Sequence, residues 1–306
     1  MKNYLLAAGL IIVSIAAVII FPDIFDTGQK FLVSTQLEVP ENSSKTLSLQ
    51  EYVYPPVSQG FPVPGFSARS VLIKDLATDT LLFQKDANVP LPIASTTKIM
   101  TALVATEYFR PNSVLTATSS ASIGGAKIGL SYGEQLNFRS LLYGMLLNSG
   151  NDAAYAIAEN FPGGVKEFVG AMNKKALSLN LSNTHFDNPA GFDSKNHFSS
   201  ATDLSKITEE ALKNPELAKI FATKETQVLS VDKKQKHSLV NLNKLLTSVT
   251  GVLGVKTGYT ESAKENLVGL VERDSHRILT VVLGSDDRFG ETERIVEWIY
   301  QNYSWP

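Results

Sequence analysis

The sequence predicts a mixed α/β fold in which strands from the two ends of one domain form a sheet and helices fill the middle. Three observations carry this reading. Runs rich in Val, Ile and Leu occur early in the domain, at Ser70-Val71-Leu72-Ile73 and Leu81-Leu82-Phe83, and again late, at Leu267–Val271 and Ile278–Leu283. Between these runs, apolar residues recur at helical spacing in successive segments. A composition of 43% hydrophobic and 19% charged residues is ordinary for a globular protein, and 306 residues are ample for a buried core.

The elements follow in chain order. Tyr4 to Phe21 is an uncharged run of 18 residues, which at helical rise spans ~27 Å, close to the hydrocarbon thickness of a bilayer. Lys2 precedes it, and Asp23 and Asp26 follow it. Residues 1–21 are therefore read as a single-pass anchor with the N-terminus inside and the remainder outside. A cleaved signal peptide, processed at Ser14-Ile15-Ala16, is the competing reading. Residues 22–66, punctuated by Pro40, Pro55, Pro56, Pro62 and Pro64, read as a linker, which leaves 67–306 as the globular domain.

Within that domain, Ala77-Thr78-Asp79-Thr80 supplies a turn between the first two strands. Pro90 and Pro92 break the chain before a helix that begins near Ser95 and carries Ile99, Ala102, Leu103 and Ala105 on its apolar positions. A polar, glycine-rich stretch from Thr116 to Gly133 follows. Helices are predicted over Leu136–Leu147, Asn151–Glu159, Val165–Leu179 and Thr202–Leu212, the last capped by Thr202 or Asp203. Gln227–Val231 and the two late apolar runs read as strands, and Glu291–Tyr303 closes the chain as a helix.

Composition removes several function classes. With 28 basic against 30 acidic side chains, the net charge is −2, without the basic excess of a nucleic-acid binder. There is no cysteine, which excludes disulfides, thiolate metal sites and cysteine nucleophiles. His185, His197, His237 and His276 are too scattered for a short-spaced metal motif and read as surface or structural residues. No Gly-x-Ser-x-Gly elbow, P-loop or dinucleotide fingerprint is present, and no cofactor is expected.

Three short motifs carry chemistry. In Ser95-Thr96-Thr97-Lys98, residues three apart share a helix face, so Lys98 can reach Ser95 within one turn. A serine hydroxyl needs such a base, and a lysine can serve only if burial or a nearby cation lowers its pKa. Ser149-Gly150-Asn151 lies between two predicted helices, where a hydroxyl can relay a proton and an amide can hold a carbonyl or the lysine. Lys256-Thr257-Gly258 precedes the β-rich end. It offers a cation able to depress Lys98, a hydroxyl donor, and a glycine that permits close backbone approach.

In this order, and with the flanks Pro92–Thr101, Leu147–Ala154, Phe186–Gly191 and Gly254–Thr260, the motifs resemble those of the serine D-alanyl-D-alanine carboxypeptidases, the low-molecular-weight penicillin-binding proteins. The resemblance covers residues 67 to about 300. It implies a β-lactamase/transpeptidase-like fold with an antiparallel sheet, and a bacterial cell-membrane protein whose catalytic domain is extracytoplasmic. The implied substrate is a peptidoglycan stem peptide ending in D-Ala-D-Ala, with β-lactams as covalent inhibitors. It further implies Ser95 as nucleophile, Lys98 as general base and Ser149 as proton relay. Asn151, Lys256, Thr257, Gly258 and Tyr259 would bind substrate, with the Ser95 and Tyr259 N–H groups as oxyanion hole. Arg288, with Arg294 as a competitor, would lie near the substrate carboxylate.

The sequence departs from the family at Ala263-Lys264-Glu265, where Ala-Gly is common, and the family's further C-terminal β domain is not expected here. A D,D-endopeptidase acting on cross-links shares the same motifs. A β-lactamase would need a deacylating glutamate, for which only the near miss Glu209–Asn214 offers itself, and an inactive cell-wall binding module is at odds with three intact motifs.

Overall fold

The structure, a computed structural model, describes residues 54–306. The anchor read at residues 4–21 and the linker as far as residue 53 lie outside the described residues. Among the described residues no helix is long and apolar enough to cross a membrane.

The strands are β1 (Val57–Ser58), β2 (Ser70–Asp75), β3 (Leu81–Lys85), β4 (Val114–Thr116), β5 (Gln135–Asn137), β6 (Glu225–Leu229), β7 (Lys236–Val240), β8 (Val252–Thr260), β9 (Lys264–Arg273), β10 (His276–Ser285) and β11 (Tyr303–Ser304). The helices are α1 (Lys98–Tyr108), α2 (Phe138–Leu146), α3 (Asn151–Glu159), α4 (Gly164–Ser178), α5 (Ala201–Leu212), α6 (Pro215–Ala222), α7 (Leu245–Ser248) and α8 (Arg288–Asn302). Five strands form the main sheet in the order β3-β2-β10-β9-β8, with every pairing antiparallel. The N- and C-terminal segments thus share one sheet, and the helices between them form the lobe on which the site depends.

Both faces of this sheet are buried. Val71, Ile73, Ile278 and Val282 pack with Ile295, Trp298 and Ile299 of α8. The alternate residues Leu72, Val268, Leu270, Leu279 and Val281 enter a larger core shared with α1 to α6. Two-sided burial explains why these strands read as continuous apolar runs rather than alternating ones. Each such side chain contributes roughly 1.5–3 kcal/mol of burial.

Three features differ from the sequence reading. First, Lys256-Thr257-Gly258 lies inside β8, an edge strand of the main sheet, not ahead of the sheet. Two glycines and a lysine within that strand mask its β character. Second, α5 is capped by Ser200, whose hydroxyl accepts from the Asp203 N–H, instead of by Thr202 or Asp203. The Asp203 carboxylate is engaged elsewhere, by the Asn183 N–H and the Thr184 hydroxyl. Third, the segment read as a spacer up to residue 66 is held on the domain from residue 57. There β1 pairs with β11, the Phe61 N–H donates to Asn302 Oδ1 at 2.7 Å, and Trp298 Nε1 donates to the Phe61 carbonyl at 3.2 Å. Those partners lie more than 200 residues away, beyond the reach of local pattern.

Candidate active site

The chain reaches Ser95 through a short 3-10 turn, Ala94–Thr97, which runs directly into α1. Ala94 sits at φ +47°, a left-handed conformation that turns the backbone sharply before the helix. Threonine hydroxyls pin this turn: Thr96 Oγ1 donates to the Ile93 carbonyl at 2.7 Å, and Thr97 Oγ1 donates to the Ala94 carbonyl at 2.8 Å. Ser95 is part-exposed, while Lys98 is fully buried.

Lys98 Nζ has three partners: Ser95 Oγ at 2.9 Å, Asn151 Oδ1 at 2.8 Å and the Ala190 carbonyl at 2.7 Å. Two of these can only accept. A neutral amine has two N–H groups and one lone pair, so it can serve both acceptors and point the lone pair at the Ser95 hydroxyl. Burial holds the Lys98 pKa well below the ordinary lysine value, and the charge of Lys256 lowers it further, against the opposing pull of Asp152.

Asn151 opens α3, and its Nδ2 donates to the Gly124 carbonyl at 2.9 Å. Asp152 stays inside, where its carboxylate accepts from the N–H groups of Ile128, Gly129, Leu130 and Ala153. These bonds fix the loop that carries Gly124. Ser149 adopts φ +58° just before α3 and is buried, without a side-chain hydrogen bond among the described residues.

β8 closes the other side. A Cβ built on Gly258 would lie 3.0 Å from the Ile93 carbonyl oxygen and 3.1 Å from Ser95 N, so glycine lets the strand lie against the Ser95 turn. Lys256 is buried and donates to the Thr257 carbonyl at 3.0 Å. Burial, then Arg288, lowers its pKa to about 7. Thr257 is buried, whereas the Tyr259 side chain points out. Arg288 opens α8 and donates through Nη1 to the Gly258 carbonyl at 2.9 Å, while Arg294 is exposed on the same helix.

The structure thus brings Ser95, Lys98 and Asn151 into one hydrogen-bonded cluster, flanked by β8 and Arg288. Glu209, the glutamate of the near-miss motif, is occupied elsewhere: Lys74 of β2 donates to both its carboxylate oxygens, at 3.0 and 3.1 Å. Among the described residues no group of three or more His, Cys, Asp or Glu side chains is arranged to hold a metal ion.

Sequence reasoning assigned no role to the Asn188-Pro189-Ala190-Gly191 loop, which builds one wall. Asn188 Oδ1 accepts from the N–H groups of Ala190, Gly191 and Phe192, and so presents the Ala190 carbonyl to Lys98. Thr101 of α1 donates to the Pro189 carbonyl at 2.7 Å. Asn-Pro followed by Gly is a turn signal that could have marked this loop.

Residues 58–287 match the Peptidase S11 family, described as D-alanyl-D-alanine carboxypeptidase. The chain is 36% identical over 245 residues to D-alanyl-D-alanine carboxypeptidase DacF of Bacillus subtilis, a match that takes in 77% of this chain and 63% of DacF. It is 34% identical over 225 residues to DacB2 of Mycobacterium tuberculosis, a match covering 72% of this chain and 76% of that protein. The chain thus spans less than two thirds of DacF. The crystal structure of the Streptomyces K15 DD-transpeptidase superposes with a TM-score of 0.75 at 31% identity, covering 79% of this chain and all of that one. By the family match, by these relatives and by the transpeptidase fold they share, the chain belongs to the D-alanyl-D-alanine carboxypeptidase family, the serine peptidases of family S11.

Proposed function

We propose that this protein removes the terminal D-alanine from peptidoglycan stem pentapeptides through an acyl-enzyme on Ser95. One observation carries the reading: a buried lysine of lowered pKa lies 2.9 Å from the hydroxyl of Ser95, with its other donors already matched to acceptors. Lys98 takes the Ser95 proton as Oγ attacks the carbonyl of the penultimate D-alanine. The Ser95 and Tyr259 N–H groups stabilise the oxyanion. Collapse breaks the amide bond, and Ser149 passes a proton to the leaving amine, so that free D-alanine departs. Water then attacks the Ser95 ester, with Lys98 again as base. Asn151 holds the substrate amide, and Lys256, Thr257 and Arg288 meet the terminal carboxylate. β-Lactams, which mimic the scissile peptide, acylate the same serine, and their tethered leaving nitrogen hinders deacylation.

Residues 4–21 serve as a single-pass anchor that leaves the catalytic domain outside the cell membrane. The support is the uncharged apolar run, with Lys2 before it and Asp23 after it.

The test is to digest a stem pentapeptide and a cross-linked peptide dimer side by side and identify the products. Release of D-alanine from the pentapeptide, with the dimer cut slowly or not at all, is expected. Preferential cleavage of the dimer would make the protein an endopeptidase, and cleavage of neither would refute the peptidase reading.

A further inference from the structure

His197 is almost fully buried and lies one hydrogen bond away from the Ser95 turn, with no hydrogen bond of its own to Ser95 or Lys98. Its Nε2 is 2.7 Å from Thr97 Oγ1. Thr97 has one hydroxyl proton, and this goes to the Ala94 carbonyl at 2.8 Å. Thr97 Oγ1 must therefore accept from His197, which places the ring proton on Nε2. The other nitrogen agrees: Nδ1 accepts from the Asp187 N–H at 3.1 Å, with Asn188 Nδ2 also facing it at 3.4 Å. Donors on one side and an acceptor on the other fix a single neutral tautomer.

Burial keeps the ring neutral. Burial lowers the His197 pKa to about 4, with His185 and Lys98 acting in the same direction and Asp187 and Asp193 opposing them. The backbone on either side is held as well, through the bridges Leu91–Ser199 and His185–Phe198.

The carbonyl at the end of this chain belongs to the Ala94–Ser95 peptide. That unit is planar, so fixing the direction of the Ala94 C=O also fixes the direction of the Ser95 N–H. The opposite flank is bounded by Gly191, where a Cβ would stand 1.9 Å from the Ala94 oxygen. We infer that His197 is a positioning residue which, through Thr97 and the Ala94 carbonyl, aims the Ser95 N–H at the developing oxyanion. This rests on the proposed acylation of Ser95. A misaimed N–H would weaken transition-state stabilisation and leave ground-state binding largely intact.

The experiment measures penicillin acylation of the full chain over a range of penicillin concentrations, which separates the limiting acylation rate from the half-saturating concentration. Thr97→Val and His197→Leu are each expected to lower the limiting rate about tenfold, the effect of one well-placed hydrogen bond, with the half-saturating concentration unchanged. His197→Gln, whose amide can offer an N–H to Thr97, is expected to recover to within about threefold of wild type. The double variant Thr97→Val/His197→Leu is expected to be no slower than either single variant, because both break one chain. Limiting rates within about twofold of wild type in folded variants, even with lowered melting temperatures, would make His197 purely structural and overturn the inference. Multiplicative losses in the double variant would also overturn it. If His197→Leu does not fold, Thr97→Val alone decides. A wild-type protein that forms no adduct on Ser95 would overturn both this inference and the reading beneath it.

Discussion

Replacing Gly191 by alanine tests how tightly the Asn188–Gly191 loop is fitted to the nucleophile turn. Gly191 has φ +92°, and its added Cβ would lie 1.9 Å from the Ala94 oxygen, 2.3 Å from the Ala94 carbonyl carbon and 2.9 Å from Ser95 N. A relaxed carbon–oxygen contact is about 3.3 Å, so the two backbones must part by more than about an ångström. The positive φ adds about 1–3 kcal/mol of strain for a residue with a side chain. With the overlap included, we expect a loss of about 2–4 kcal/mol, a drop of roughly 5–15 °C in melting temperature for a domain of this size. A shift of about 1 Å near reacting groups can cost about 100-fold in rate, and a similar fall in penicillin acylation is expected. Gly164→Ala is the matched control. It has φ +72° but no atom within 4 Å of its added Cβ, so it should lose only about 1 kcal/mol and acylate normally. Acylation by folded Gly191→Ala within about threefold of wild type would refute the close fit inferred here.

Other expectations follow from single residues. Lys256 titrates at about 7 when folded against 10.5 for an ordinary lysine. Between those values the unfolded chain holds the extra proton, so this lysine makes stability rise with pH from about 7 and level off near 10.5. Urea midpoints of the wild type should therefore climb more steeply from pH 7 to 9 than those of Lys256→Met; equal slopes would contradict the lowered value. Lys264, the first residue of β9, stands at φ +57°, so Lys264→Gly should raise stability by up to about 1 kcal/mol in thermal unfolding. A fragment starting at residue 54 should melt higher than one starting at 67, because only the first retains the β1–β11 pairing and the Phe61–Trp298 contact. Identical melting curves would show that this strap adds nothing.

Much of the fold was legible because its signals are local. The late strands are long apolar runs, and α1 to α5 follow helical spacing. What escaped was either short or decided at a distance. Helix α6 announces itself only through Asn214-Pro215, where the Asn214 side chain accepts from the Glu216 and Leu217 N–H groups. Strand β8 is disguised by Gly254, Lys256 and Gly258, residues required by its place beside the site and disfavoured in most strands. Within the site, the cluster of Ser95, Lys98 and Asn151 could be anticipated because the motifs state their chemistry directly. His197 could not, since a lone histidine in sequence says nothing about the Thr97 hydroxyl 100 residues earlier. Ala190 contributes only its carbonyl, which no residue type can advertise.

The proposed function requires Ser95 to carry a covalent acyl group in turnover. The most direct measurement is intact-protein mass spectrometry after brief penicillin exposure and washing, with peptide mapping of the adduct and a parallel D-alanine release assay. A persistent adduct of one penicillin on the peptide containing Ser95 is expected, together with D-alanine release from pentapeptide. Ser95→Ala should abolish both at an unchanged melting temperature. Adduct formation in Ser95→Ala, or rapid return of the wild type to unmodified mass without D-alanine release, would contradict it.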